Sequence, residues 1–334
     1  MISLPSTRRV SRAAAFAAAA VVLASSTVSA SASAPVNPSG QGVSSTCEPA
    51  THRDTVAMAM ARLGRADDQQ RYTLRELRRI DRRLERALAR TESSAARGGA
   101  RFGLVLRIPV HAHVIDGTHS RGPTRRAVRR QIDILNRAYD GGQSENNTAT
   151  RFRFYLESFD RTRNQRWYTA SLFDPADKAL RRRLHQGGPE SLNLYFSAPR
   201  SAQADTVVLG WSTVPWRARR HPRLDGVTIH RESMLGGDLD NYNRGDTAVH
   251  EVGHWLGLFH TFQGGCSQRN DRIADTPAEA VPSLSCEIGR DTCKAEGLDP
   301  IRNFMNYSFD SCMKMFTAGQ VARMTDNWLA YRTP

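Results

Sequence analysis

His250-Glu251-Val252-Gly253-His254-Trp255-Leu256-Gly257-Leu258-Phe259-His260 constrains the chain more than any other segment. His250 and His254 are four residues apart, so on a helix their imidazoles leave one face a turn apart and can reach a single metal ion. His260 follows six residues later, and in an unbroken helix it would point about 120° away from His254. The helix therefore has to stop first, and Gly257 can take a positive φ without penalty and turn the chain so that His260 returns. Asn243, three residues before Asp246, supplies a candidate helix start.

Three neutral imidazoles leave one position open on a tetrahedral zinc ion, which is the mark of a catalytic rather than a closed structural site. Glu251, beside the first ligand, is the candidate general base for a water attacking a carbonyl.

Working toward the amino terminus, the pattern before this helix alternates. Apolar positions suggest a strand at Leu104–Ile115, a helix from Thr124 with Val128, Ile132, Leu135 and Ala138 inward, and strands near 151–157, 192–196, 207–211 and 226–230. Alternation of this kind, followed by the histidine helix and then irregular sequence, predicts an α/β upper half above a less regular lower part. Residues 55–63 and 74–88 carry apolar residues at helical spacing among many charges and read as two amphipathic helices. Thr91–Ala100, with Gly98 and Gly99 and flanked by Arg90 and Arg101, reads as a linker and a candidate processing site.

The first 34 residues follow the order of an export signal: Arg8, Arg9 and Arg12, an apolar run from Ala13 to Ala24, then small residues to Ala34. That run is too short to span a bilayer, which takes roughly 20 residues. The division expected is thus 1–34 signal peptide, 35–101 basic helical propeptide and 102–334 catalytic domain, in a secreted protein without a membrane anchor. Of 334 residues, 47 are Lys or Arg and 33 are Asp or Glu, a formal net charge of +14. More than half of that excess precedes residue 102, and what remains is too diffuse for a nucleic-acid protein.

Downstream lies Asn303-Phe304-Met305-Asn306-Tyr307. Together with the long histidine motif, this resembles the metzincin zinc proteases, in which a turn containing Met underlies the metal. The segments HEVGHWLGLFHTFQGG (250–265), Asp275-Thr276-Pro277 and NFMNYSFDSCMKMFTAGQ (303–320) narrow the resemblance to the pappalysin family and its ulilysin-like secreted branch. The resemblance implies a twisted, mostly parallel sheet with backing and active-site helices. Beneath it would lie an irregular, disulfide-linked lower subdomain with the Met-turn and a C-terminal helix. It implies one catalytic Zn²⁺ on His250, His254 and His260, Met305 as the residue beneath them, and Tyr307 donating its hydroxyl to the developing oxyanion. It also assigns residues 209–214 to the edge strand that pairs with an extended peptide. A calcium ion at Asp271, Asp275 and Thr276 is a further implication.

Cys266, Cys286, Cys293 and Cys312 crowd the last part of an exported chain and predict two disulfides, with three pairings open. The resemblance selects Cys266 with Cys293 and Cys286 with Cys312. Cys47 is the odd cysteine and lies in the expected propeptide, where its thiolate can fill the open zinc position and hold the precursor latent. Asp310, close after the Met-turn, is expected to line a pocket favouring a basic side chain after the scissile bond. The reading is a secreted zinc endopeptidase acting on protein or peptide substrates, with its propeptide as intramolecular inhibitor. Its competitors are a secreted metal-binding interaction protein without turnover and another zinc hydrolase such as a deacetylase.

Overall fold

The computed structural model describes residues 72–98, 105–200 and 207–333, with the backbone alone for 92–98. The export signal, the helix expected at 55–63 and Cys47 lie outside the described residues. Five strands form one sheet in the order β2-β1-β3-β5-β4: β1 (Leu106–Asp116), β2 (Phe152–Arg163), β3 (Leu192–Ser197), β4 (Gly210–Ser212) and β5 (Val227–His230). All neighbours pair in parallel except β4, which runs antiparallel to β5 and forms an edge. A parallel sheet needs cover on its faces, and the fully buried run of β3 fits that requirement.

Two helices pack on the sheet and on one another: α2 (Arg125–Tyr139) and α4 (Asp246–Trp255), the latter carrying His250 and His254. Thr124 caps α2 through its side chain, as its place before the apolar pattern suggests. Val128, Ile132, Leu135 and Ala138 then enter the main core with Ile108, Val110, Leu194 and Val252. The middle and the last residue of α2 hold α4: Gln131 Nε2 donates to the Gly245 carbonyl at 2.8 Å and the Tyr139 hydroxyl to the Val249 carbonyl at 3.1 Å. On the far side of the sheet lies α3 (Pro175–Leu184), whose buried Arg181 pairs with Asp177 at 2.8 Å.

The lower part is held by the C-terminal helix α5 (Ala318–Tyr331) and by two disulfides, Cys266–Cys293 and Cys286–Cys312. Thr317 and Gln320 form a reciprocal cap on α5, and Gln320 also exchanges two hydrogen bonds with Asn303. Asn303 Oδ1 in turn accepts the Met305 amide at 2.9 Å, so the start of α5 fixes the Met-turn.

The first helix, α1 (Leu74–Gly98), differs from expectation in length. Glu92-Ser93-Ser94-Ala95-Ala96 contains neither Gly nor Pro, so nothing in it stops a helix already running, and the chain stays helical to Gly98, within the region read as a linker. Among the described residues no helix is long and apolar enough to cross a membrane.

Candidate active site

All ten residues of α4 are buried, so its polar side chains must be satisfied internally. Neither Asn243 nor any other side chain caps it in the usual way: Gly245 occupies the cap position at φ 92°, and Asn243 donates to the Gly237 carbonyl instead. The negative charge comes from 64 residues away. Asp310 Oδ2 accepts the amides of Arg244 at 2.7 Å and Asp246 at 3.4 Å, placing a carboxyl at the positive end of the helix. Burial raises both carboxyls; at Asp246 the neighbouring Asp310 adds to the effect, while at Asp310 the backbone amides that it accepts work against it. Asp310 Oδ1 is buried without a hydrogen-bond partner, and Ser308 and Met313 nearby in sequence line the cleft.

At the other end the helix breaks where the spacing requires. Gly257 stands at φ 95°, and a Cβ there would also meet the Asn327 side chain at 2.4 Å. The turn brings His260 back: the three Nε2 atoms of His250, His254 and His260 lie 2.9 to 3.2 Å from one another. Nitrogens bound about 2.0–2.1 Å from one tetrahedral zinc ion would stand about 3.4 Å apart. The outer ring nitrogens set the tautomers. His250 Nδ1–H donates to the Phe304 carbonyl at 2.6 Å and His254 Nδ1–H to the Leu258 carbonyl at 2.9 Å, leaving both Nε2 lone pairs aimed inward. Burial, then the neighbouring imidazoles, lowers His260 well below its ordinary value and His250 to about 3. Three ring nitrogens converging in a buried setting suit a cation and little else. Among the described residues this is the only group of three or more histidine, cysteine or acidic side chains whose ligand atoms converge.

Met305 is fully buried beneath this triad. Its sulfur lies where a Cβ on Gly253 would be, 2.5 Å away, so the glycine between the histidines is a packing requirement. Glu251 and Tyr307 both face the cleft that contains His250 and His254. The Tyr307 ring stands edge-on to His260 at 4.9 Å and to Phe262 at 5.0 Å. The edge strand β4 passes directly over the acid: a Cβ on Gly210 would stand 2.9 Å from Glu251 Cγ and 3.3 Å from Oε1.

Glu279 has no signature in the sequence. Fully buried, it accepts from Thr261 Oγ1 at 2.7 Å, Asn306 Nδ2 at 3.0 Å and Arg290 at 3.0 Å, tying the residue after His260 to the residue after Met305. Burial raises its carboxyl above the ordinary range. Of the trio expected at calcium, Asp275 Oδ2 accepts the Gly319 amide at the start of α5. Asp271 Oδ1 accepts the Ile273 amide, while Asp271 Oδ2 and Thr276 Oγ1 are buried without a hydrogen-bond partner. His111 and His113 are hydrogen-bonded to Ser158 at 2.8 Å and to Asp160 and Asn193 at 2.7 and 3.0 Å.

A buried histidine triad beside a carboxylate, open to a cleft along a sheet edge, defines a metallopeptidase architecture. Residues 218–329 match the family described as Pregnancy-associated plasma protein-A. An extracellular metalloprotease of Sordaria macrospora is 37% identical over 71% of this chain and 80% of its own length, and one of Pyricularia oryzae is 38% identical over 74% and 83%. Mature mirolysin of Tannerella forsythia in complex with a cleaved peptide shares the fold at a TM-score of 0.55 and 23% identity, covering 70% of this chain and all of that one. A promirolysin mutant from the same organism gives 0.59 at 23% identity, over 75% and 89%. The chain belongs to the pappalysin family of metzincin metalloproteases.

Proposed function

We propose that this chain is a secreted, zinc-dependent endopeptidase made as a latent precursor. The observation that carries the reading is the convergence of three Nε2 atoms within 3.2 Å of one another beside the Glu251 carboxylate. His250, His254 and His260 hold the zinc ion, which when bound polarises the scissile carbonyl and makes a water acidic enough to attack near neutral pH. An extended peptide lies along β4, its backbone pairing with the free edge of that strand. Glu251 takes the attacking water's proton and returns it to the leaving amine. The Tyr307 hydroxyl donates to the oxygen on which charge develops. A binding protein without turnover would have no use for an acid held at this spot by a bare glycine on the edge strand.

Export rests on the order of regions in residues 1–34 and on relatives named as extracellular metalloproteases. Latency rests on residues 35–101, with Cys47 as the fourth ligand of the closed form. Preference for Arg or Lys after the scissile bond rests on Asp310, whose Oδ1 is unpartnered in a buried setting. The direct test is cleavage of internally quenched peptides by the activated protein. Hydrolysis is expected to cease with a chelator, return with zinc and favour peptides with a basic residue after the cleaved bond. Hydrolysis indifferent to chelation would reject the reading.

A further inference from the structure

Helix α1 is seated on the catalytic domain through one stripe, Leu77, Ile80, Leu84 and Ala87, all buried. Leu77 and Ile80 pack with Val214, Trp216 and Phe259, and the helix lies along α5. Tyr72, just before the helix, meets Trp216 and Phe259 edge-on at 6.1 and 5.6 Å and is itself a wall of the cleft that holds Glu251 and His254. In the middle of this apolar seat is a charge cluster. Asp81 pairs with the Arg272 guanidinium, and its Oδ1 lies 3.2 Å from Arg323 Nη1. Arg323 is buried, crosses the Phe259 ring at 4.6 Å, and donates through Nε to the carbonyl of Gly257, the residue that ends the histidine helix. The outer face of α1 carries Arg75, Arg78, Arg79, Arg82, Arg83 and Arg86, all exposed. The helix is thus amphipathic, with a solvated back and a front that fits a cationic, apolar groove.

We propose that α1 is a separable ligand of this groove, and that hydrolysis of a peptide bond between Gly98 and Val105 does not by itself free the cleft. The amino-terminal piece stays seated, keeping Tyr72 in the cleft wall, until α1 leaves. Asp81 decides its retention, because it is the carboxylate that pairs with both the Arg272 and the buried Arg323 guanidinium groups, and its loss leaves them facing each other under the helix. This rests on the latent-precursor reading and adds to it the surface that holds the precursor closed.

The test uses the full chain carrying Glu251→Gln, so that it cannot digest itself, with a recognition sequence for an unrelated specific protease inserted between Gly99 and Ala100. After cutting, gel filtration at micromolar concentration reads how much of the amino-terminal piece travels with the remainder. Retention is expected for the parent. Asp81→Asn should raise the concentration of half-release on the order of 30-fold or more, as for loss of one partner of a buried charge pair. Glu85→Gln, the same charge change on the exposed side of the helix, should behave as the parent. Thermal unfolding of each uncut chain checks folding, and Leu77→Ala, which removes apolar contact alone, provides a second variant expected to release. Release of the parent piece on cutting, or Asp81→Asn retained as tightly as the parent, would overturn the proposal. Retention is read without turnover, so its failure and that of the peptidase reading are separate results.

Discussion

Gly253→Ala tests whether the Met-turn is packed against the histidine helix as tightly as the contacts require. In an ordinary helix this change stabilises by about 0.5–1 kcal/mol, since Ala loses less backbone freedom than Gly. Here the new Cβ would stand 2.5 Å from Met305 Sδ and 3.3 Å from Cε, about 1 Å or more inside ordinary contact with the sulfur. Met305 is wholly buried and its backbone is fixed by Asn303 and by the Thr261 amide, so the side chain has no free direction in which to retreat. Overpacking of this kind costs roughly 1–3 kcal/mol, and the balance is a net loss of about 0–2 kcal/mol. Met305→Ala alone should cost about 2–5 kcal/mol for the cavity it leaves. In the double variant the alanine Cβ has space, so the two losses should combine to at least about 1 kcal/mol less than their sum, well outside the ~0.5 kcal/mol expected of independent sites. Urea unfolding of the metal-loaded inactive chain, parent and three variants, gives the cycle. Additive losses, or a Gly253→Ala chain more stable than the parent, would refute the contact.

Other expectations follow from single residues. His260→Ala should lower zinc affinity more than about 100-fold, beyond the range usual for outer-shell changes, and lose activity in step; equilibrium dialysis against a zinc buffer checks it. Burial raises Asp310 above its unfolded value, so between those two values the native state binds the extra proton and stability falls as pH rises. Asp310→Asn should therefore lose less Tm than the parent between pH 4 and pH 8, and an equal loss would count against it. Cys47→Ser in the purified precursor should give premature activity and faster cleavage near Arg90 to Arg101, whereas latency equal to the parent would remove Cys47 from the mechanism.

What the sequence disclosed and what it withheld divide along contact range. His250, His254 and the need for Gly257 are legible because helix periodicity fixes angles over a few residues, and the same rule starts α2 at Thr124. Asn243 looked like the start of α4 by the same local rule, yet the acceptor is Asp310, 64 residues on, where no period links the two. Glu279 is hidden for the same reason: an acid in an irregular loop has no pattern until Thr261 and Asn306 close around it. The end of α1 is hard to read because the serines and two glycines after Thr91 suggest a linker, while residues 92–96 contain neither Gly nor Pro to stop the helix before Gly98.

Glu251 is the proposed proton carrier of the zinc-dependent hydrolysis, and its replacement tests that role most directly. Glu251→Gln keeps the shape of the side chain and removes its basicity, so the activated variant should still bind one zinc per chain while kcat on a quenched peptide falls by about 100-fold or more. An unchanged kcat at unchanged zinc content would contradict it.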